Sequence, residues 1–216
     1  MKKILMCIQT IGLAYDDRLR KECLSLKQAG FEIKIIALED HNKRKKSTIY
    51  DNIQYNSVPS YTRRFLRKGK GLSAKLMETT LRFLFQIIFN RTRIIWIHDL
   101  QTTMLIPFLA RLKRMGRIDT IVWDQHELYD EMNIPNDSLY RLFKNSIDKV
   151  DIVIQANEER KEFFSELYDV DPGKIRVIEN YVNDEFINYP KEILPEDVSE
   201  WMGNEDYYLA QGGAVI

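Results

Sequence analysis

The sequence predicts an α/β protein with a single doubly wound parallel sheet. Short apolar runs alternate along the chain with longer segments in which apolar residues recur every three or four positions, the pattern of strands alternating with helices. The run at 33–38 is almost continuously apolar, as expected of a strand that is covered on both faces. Because strands joined through helices make right-handed crossovers, the predicted sheet is parallel.

Seven strands are predicted. The first apolar run is too short for a signal peptide, and the third alternates between apolar and polar residues, which indicates a shorter strand. In chain order the predicted strands cover residues 4–8, 33–38, 53–58, 94–97, 120–123, 152–155 and 175–178.

Helices are predicted between these strands. The segment 17–29 ends at Gly30, a residue that suits the left-handed cap closing many helices. Longer helical periodicity covers 72–89, and a shorter helix covers 158–167. Pro107 begins or kinks a further helix with four apolar residues on one face, Leu105, Phe108, Leu109 and Leu112.

The composition is that of one globular domain with a little extra chain. Of the 216 residues, 30% are charged and 44% are hydrophobic, and the formal net charge is zero. Ten basic residues and one acid lie between 43 and 75, whereas eight acids and one lysine lie between 184 and 206. The sequence therefore predicts a basic face and an acidic tail.

The two cysteines are expected to be small buried hydrophobes rather than a disulfide framework. Cys7 lies in an apolar strand and Cys23 on a helical pattern. A reducing cytoplasm is the simplest inference from this usage. The longest internal apolar stretch, at 83–89, is far shorter than the ~20 residues that span a bilayer, so no membrane crossing is expected.

Histidine stands beside a carboxylate after three predicted strands. These groups are 39–41, 98–99 and 124–127, and they contain every histidine of the chain. The carboxyl ends of parallel strands line one crevice, where ligands bind. The alternative is that these residues are ordinary solvated loop residues.

Several common ligand classes are disfavoured. The first turn, 10–18, holds the single glycine Gly12, so a dinucleotide fingerprint is absent. The chain has no Walker A pattern, no serine in a nucleophile elbow and no Cys/His cluster with metal-ligand spacing. We therefore predict no cofactor and no metal.

An ordered set of short segments resembles the N-terminal half of GT-B glycosyltransferases of the family 4 type. The resemblance runs from residue 1 to about 180, and 207–213 is similar to the strand and paired glycines that open the family's C-terminal domain. The segments are Asp-Arg-Leu-Arg-Lys-Glu at 17–22, Leu26 with Ala-Gly-Phe-Glu-Ile at 29–33, Ile-His-Asp at 97–99, Val-Trp-Asp-Gln-His-Glu-Leu at 122–128 and Ile-Glu-Asn at 178–180.

The resemblance implies a domain layout and a role. It implies a Rossmann-like N-terminal domain at 1–183, an acidic interdomain linker at 184–206 and the first strand of a truncated C-terminal domain at 207–216. In such enzymes the N-terminal domain chiefly holds the acceptor, while the C-terminal domain grips the nucleotide sugar and carries E-x7-E.

The chain is thus expected to be the acceptor-binding half of a retaining glycosyltransferase, inactive without the C-terminal donor-binding half. That half is either separately encoded, or the chain is an incomplete piece of a longer gene product. A sugar or lipid-linked acceptor in cell-envelope synthesis would be its substrate, and a nucleotide sugar its co-substrate. The alternative is a non-catalytic binding module or a truncated relic.

The resemblance also implies the site residues. His126 is the predicted catalytic residue, because its counterpart projects into the cleft beside the donor sugar; the alternative is that it caps a turn by bonding Asp124 or Glu127. Arg18 is expected to pair with a phosphate or to form a surface ion pair. The predicted substrate-binding residues are Gly12, Arg18, His98, Asp99, Asp124 and Glu127.

The basic segment, with an apolar helix behind it, suits an anionic membrane that carries a lipid-linked acceptor. The protein is then either cytoplasmic or peripheral at the inner face of the membrane. A solvated loop with a core helix is an equal alternative, and nucleic-acid binding lacks any matching motif. The residues predicted to face the membrane are Lys43, Arg44, Lys45, Lys46, Arg63, Arg64, Arg67 and Lys68.

Overall fold

The structure is a computed structural model that describes residues 2–10, 16–39, 46–50, 53–65, 71–130, 134 and 137–179. The predicted linker at 184–206 and terminal strand at 207–216 lie outside these residues, as do Gly12 and His41. Of the basic residues predicted to face a membrane, 43–45, 67 and 68 also lie outside them, and the side chains of 46, 63 and 64 are not described.

The described residues form an eight-stranded sheet in the order β3-β4-β2-β1-β5-β6-β7-β8. Seven strands are parallel, which confirms the predicted fold class, and the edge strand β3 runs antiparallel to β4. Strand β3 was not predicted from the sequence. The strands are β1 Lys3–Gln9, β2 Glu32–Glu39, β3 Lys46–Tyr50, β4 Ile53–Pro59, β5 Ile94–His98, β6 Thr120–Asp124, β7 Ile152–Gln155 and β8 Ile175–Val177.

Six α-helices connect these strands within the described residues. Asp16 and Asn157 cap the first and last of them by accepting a backbone N–H, and Pro107 lies in the first turn of the fourth, where a proline is tolerated. The helices are α1 Asp17–Gln28, α2 Tyr61–Phe65, α3 Leu72–Asn90, α4 Ile106–Arg114, α5 Asp137–Ile147 and α6 Glu158–Tyr168. The described connections also contain two 3-10 helices, Leu100–Leu105 and Pro172–Lys174.

Apolar side chains fill both faces of the sheet. One face packs Leu19 and Cys23 of α1 against β1 and β2. The other face holds the larger cluster, in which Trp123 of β6 and Phe143 of α5 are fully buried with ring centroids 4.9 Å apart. Both cysteines are buried and free, as predicted. Among the described helices, none has the length and apolar character that a bilayer span requires.

A single carboxylate ties the short helix α2 to α3. Glu78 of α3 accepts the backbone N–H groups of Tyr61 and Thr62 at 2.8 and 2.6 Å, and the guanidinium of Arg82 at 2.8 Å. Partial burial alone would raise the pKa of Glu78, but a hydrogen bond from the Thr62 hydroxyl and these other hydrogen bonds lower it to about 2 from an ordinary 4.5. The ionised carboxylate thus satisfies the free donors at the start of α2.

We expect Glu78→Gln to destabilise the protein by about 1 kcal/mol at neutral pH, since the hydrogen bonds are charge-assisted but partly exposed to solvent. Because the pKa of Glu78 is lower in the folded state, its contribution is present above pH ~4.5 and fades towards pH ~2. Urea unfolding at pH 7 and pH 3 measures this. A difference between wild type and variant that does not shrink at the lower pH would contradict the assignment.

Candidate functional site

Two neighbouring strand ends build the site. Strands β5 and β6 are in register, so that His98 and Asp124 are direct partners across the sheet. Asp99 follows β5, and its backbone N–H donates to the carbonyl of Asp124 at 2.8 Å. His126 lies two residues beyond β6, and its backbone N–H donates to Oδ1 of Asp99 at 3.2 Å. The sheet therefore brings both histidines and both aspartates together at its carboxyl edge.

The two imidazoles are in contact. Nδ1 of His98 lies 3.3 Å from Nε2 of His126, and the rings meet edge to face. The side chain of His98 is fully buried, whereas that of His126 is 23% exposed. Burial lowers the pKa of His98 from 6.5 to about 3, so at neutral pH this ring is uncharged and carries one proton.

The proton of His98 belongs on Nδ1. Its Nε2 has no hydrogen-bond partner among the described residues, whereas Nδ1 faces Nε2 of His126. With the proton of His98 on Nδ1, Nε2 of His126 is the acceptor of that contact, which leaves Nδ1 as the other ring nitrogen of His126. That atom lies 3.6 Å from Oδ2 of Asp99, too far for a hydrogen bond. The Nδ1–H group of His126 is thus a donor that an arriving ligand can engage.

The Asp124 carboxylate is fully buried and has one partnered oxygen. Its Oδ1 accepts from Nη2 of Arg18 at 2.6 Å. Its Oδ2 faces His98 Nδ1 at 3.7 Å and His126 Nε2 at 3.9 Å, and has no hydrogen-bond partner among the described residues. Leaving a buried polar atom unsatisfied costs about 1–3 kcal/mol.

Arg18 lies between two carboxylates. The guanidinium is 10% exposed and also donates from Nε to Glu22 at 2.9 Å. Burial opposes the charge of Arg18, but Asp124 and Glu22 outweigh it and its pKa is raised. Burial and the neighbouring Asp124 raise the pKa of Glu22 well above 4.5, so Asp124 is the principal counter-ion of Arg18. The predicted surface ion pair is therefore wrong, because the pair is buried and joins α1 to β6.

Asp99 has an unusual backbone conformation. Its φ of 59° and ψ of 178° fall in a region that glycine occupies almost alone. Contacts from three sides hold it there, because its carboxylate also accepts from the Tyr129 hydroxyl at 3.4 Å and its carbonyl accepts from Nε1 of Trp123 at 3.3 Å. Backbone strain of this kind collects at functional sites.

A matched pair of variants measures this strain. Asp99→Ala and Asp99→Gly both remove the carboxylate, but only alanine keeps the Cβ that the positive φ disfavours. We expect the glycine variant to be more stable than the alanine variant by about 1 kcal/mol or more, the reverse of the usual order. Thermal unfolding of the two proteins measures the difference, and an alanine variant of equal or greater stability would contradict the strain.

A second layer fixes the turn after β6. Arg160, in the first turn of α6, donates to the carbonyl of His126 at 2.7 Å. The side chain of Gln155 donates to that of Gln125 at 2.8 Å, and both residues are fully buried. Glu127 points outward, with 73% of its side chain exposed and Arg160 at 3.9 Å. These contacts join the end of β7 and α6 to the turn that carries His126.

Five of the predicted site residues come together, namely Arg18, His98, Asp99, Asp124 and His126. Glu127 lies beside them at the surface, and Gly12 lies outside the described residues. His126 contacts His98, Asp99 and Asp124 and makes no described hydrogen bond to Glu127. The hydroxyl-binding roles of His98 and Asp99 stay predictions. Sequence reasoning missed Glu22, Tyr129 and Arg160, although Glu22 stands one helical turn after Arg18.

An exposed apolar surface lies away from this site. Five large apolar residues of α3 are 43 to 68% exposed, and they line one face of the helix: Met77, Leu81, Phe85, Ile88 and Phe89. Three of them, Met77, Leu81 and Phe85, border a groove of about 650 Å³ together with β4 and α2, and Tyr61 and Arg82 also line it. The opposite face of α3, including Leu76 and Phe83, is buried in the core. We call this surface the α3 face.

No protein-family model matches the sequence, and no curated protein matches it. Solved structures do match the fold. Sucrose-phosphate synthase from Thermosynechococcus elongatus aligns with a TM-score of 0.65 and 11% identity over 85% of this chain and 49% of its own. An Escherichia coli trehalose-6-phosphate protein bound with UDP-2-fluoro glucose aligns with a TM-score of 0.66 and 14% identity, over 93% of this chain and 54% of its own. The catalytic domain of starch synthase IV from Arabidopsis thaliana, bound to ADP and acarbose, aligns with a TM-score of 0.58 and 12% identity, over 89% of this chain and 54% of its own.

These neighbours are GT-B glycosyltransferases, and the chain has the Rossmann-like fold of their N-terminal domain. The described sheet and its helices thus define a GT-B half, as the sequence predicted. The chain spans about half the length of each of these three structures. The narrower resemblance to the family 4 type stays a prediction.

Proposed function

We propose that this chain is the acceptor-binding half of a retaining glycosyltransferase of the family 4 type. Its fold is one half of a GT-B enzyme, and neighbours with that fold have been solved with UDP-2-fluoro glucose or with ADP and acarbose. A further neighbour, trehalose-6-phosphate synthase, was studied for glycosyl transfer with retention (TM-score 0.62, 15% identity). A sugar or lipid-linked acceptor in cell-envelope polysaccharide or glycolipid synthesis is the substrate we infer.

The observation that carries this proposal is the partly exposed His126 at the carboxyl edge of the sheet. Its Nδ1–H is the group we assign to a hydroxyl of the transferred sugar or to a phosphate oxygen of the donor, because Nε2 is occupied by His98. A hydrogen-bond donor that the protein holds in place stabilises negative charge on the leaving group or orients the sugar, and the site need not reorganise during the reaction. Asp99 and Arg160 position the imidazole by holding its own backbone.

Sugar transfer by the full chain tests the proposal. The assay uses a panel of UDP-, GDP- and ADP-sugars, with and without the protein encoded immediately downstream. We expect turnover only with the downstream protein, and a loss of about 10²-fold or more in His126→Ala, as for the removal of one transition-state donor. His41→Ala is the matched histidine control and should keep its activity. If the folded protein neither binds nor turns over any sugar donor in either setting, the transferase proposal is contradicted and the non-catalytic binding module is the remaining function.

We further propose that the α3 face rests on an anionic membrane at the cytoplasmic side. The exposed apolar residues of α3 supply an insertion surface. The basic residues 63 and 64 belong to α2, and 67 and 68 follow it in sequence. Sedimentation with vesicles tests this. We expect binding to vesicles rich in phosphatidylglycerol and loss of binding in Leu81→Ser/Phe85→Ser. Phe108→Ser, on α4, is the matched control, and equal binding to neutral vesicles would contradict the electrostatic part.

A further inference from the structure

We propose that His98, His126 and Asp124 form a binding site for a divalent transition-metal ion, with Zn²⁺ as the preferred ion. The three coordinating atoms are Nδ1 of His98, Nε2 of His126 and Oδ2 of Asp124, and they lie within 4.8 Å of one another. Two imidazoles and one carboxylate are a ligand set that Zn²⁺ takes in sites with an open position.

The distances suit a metal. The triangle of coordinating atoms has sides of 3.3, 3.7 and 3.9 Å. A point equidistant from all three lies about 2.1 Å from each, which is the length of Zn–N and Zn–O bonds. An ion at that point leaves positions above and below the plane of the three atoms for water.

The protein already carries the outer support of such a site. Asp99 positions His126 through its backbone, because Oδ1 of Asp99 accepts the His126 N–H at 3.2 Å. Asp99 is itself held by Tyr129, and the second oxygen of Asp124 by Arg18. Two of the three ligand residues, Asp124 and His126, are thus held by neighbouring residues before any ion arrives.

The site also holds a buried acceptor atom without a described partner. Oδ2 of Asp124 is fully buried and lacks a hydrogen-bond partner among the described residues. The competing occupant is a proton, shared with an imidazole or with the neighbouring Glu22. Zn²⁺ would take the place of the proton on Nδ1 of His98, which is free to move to the unpartnered Nε2 of that ring. The Nδ1–H group of His126 remains free, so metal binding and the proposed sugar contact are compatible.

Direct binding to the full, untagged chain tests the site independently of any transferase activity. After removal of metal with a chelator, Zn²⁺ is titrated by calorimetry, and Co²⁺ reports its ligands through visible d–d absorption. We expect one ion per chain and a Tm rise of about 5–10 °C at a Zn²⁺ concentration a hundredfold above Kd.

Variants assign the ligands. His126→Ala, at the partly exposed position, and His98→Ala should each weaken binding about 100-fold or more, and Asp99→Asn about 10-fold. His41→Ala should leave it unchanged. Circular dichroism identifies any variant that fails to fold. If His98→Ala does not fold, the binding measured for His126→Ala tests the site. Folded wild-type protein that binds neither ion, or binding that survives His126→Ala, would overturn the site.

Discussion

Replacing Arg18 with methionine is expected to destabilise the protein by about 3–5 kcal/mol, which is the cost of leaving one charge of a buried pair alone. The Asp124 carboxylate is fully buried, and Arg18 is the only cation that contacts it among the described residues. Glu22 cannot replace the guanidinium, because it is itself an acid. Urea unfolding at neutral pH, followed by tryptophan fluorescence, measures the loss.

A double-mutant cycle separates the charge from the packing of the Arg18 side chain. Asp124→Asn removes the buried charge, so Arg18→Met combined with Asp124→Asn should be more stable than Arg18→Met alone. A loss below about 1 kcal/mol in Arg18→Met would place the pair among solvent-screened ion pairs.

Replacing Phe143 with alanine is expected to cost about 3–5 kcal/mol, because a fully buried ring leaves a cavity. Its ring centroid lies 4.9 Å from that of Trp123 and 5.5 Å from that of Tyr168. Tyr129, which bonds Asp99, is also in ring contact at 5.8 Å. The expected fall in Tm is about 6–20 °C for a domain of this size.

Phe89→Ala is the matched control, since that ring is 68% exposed and should change stability by no more than about 0.5 kcal/mol. Phe143→Leu fills most of the cavity and should lose less than Phe143→Ala. Equal losses for the leucine and alanine variants would contradict the cavity as the cause.

The parallel sheet was predictable because its strands carry a strong local signal. Strands covered on both faces, such as β2 and β5, read as apolar runs, and all seven parallel strands were predicted. Strand β3 was missed because Lys46–Tyr50 holds mostly polar residues and forms only by pairing with β4 at the sheet edge. Helix α5 was also missed, although Leu139, Phe143 and Ile147 recur every four residues and are all buried.

The site was predictable in part. The topology rule for strand ends was enough to place His98, Asp99, Asp124 and His126 together. Which atoms face each other depends on the β5–β6 register and on the turn at Asp99, and no local pattern specifies either. The Arg18 contact joins residues 106 positions apart, so the sequence offered only the nearby acids Asp16 and Asp17 as partners. Long-range pairing of this kind is set by the packed fold.

The position of β1 inside the sheet has a consequence for synthesis. Its two neighbours are β2 and β5, and β5 ends at residue 98. A nascent chain that has released only the first four strands therefore exposes one long, unpaired, apolar strand edge, and Arg18 has not yet met Asp124. Such an edge is prone to pair with other chains, so we expect the early half-sheet to be the aggregation-prone species until β5 and β6 emerge.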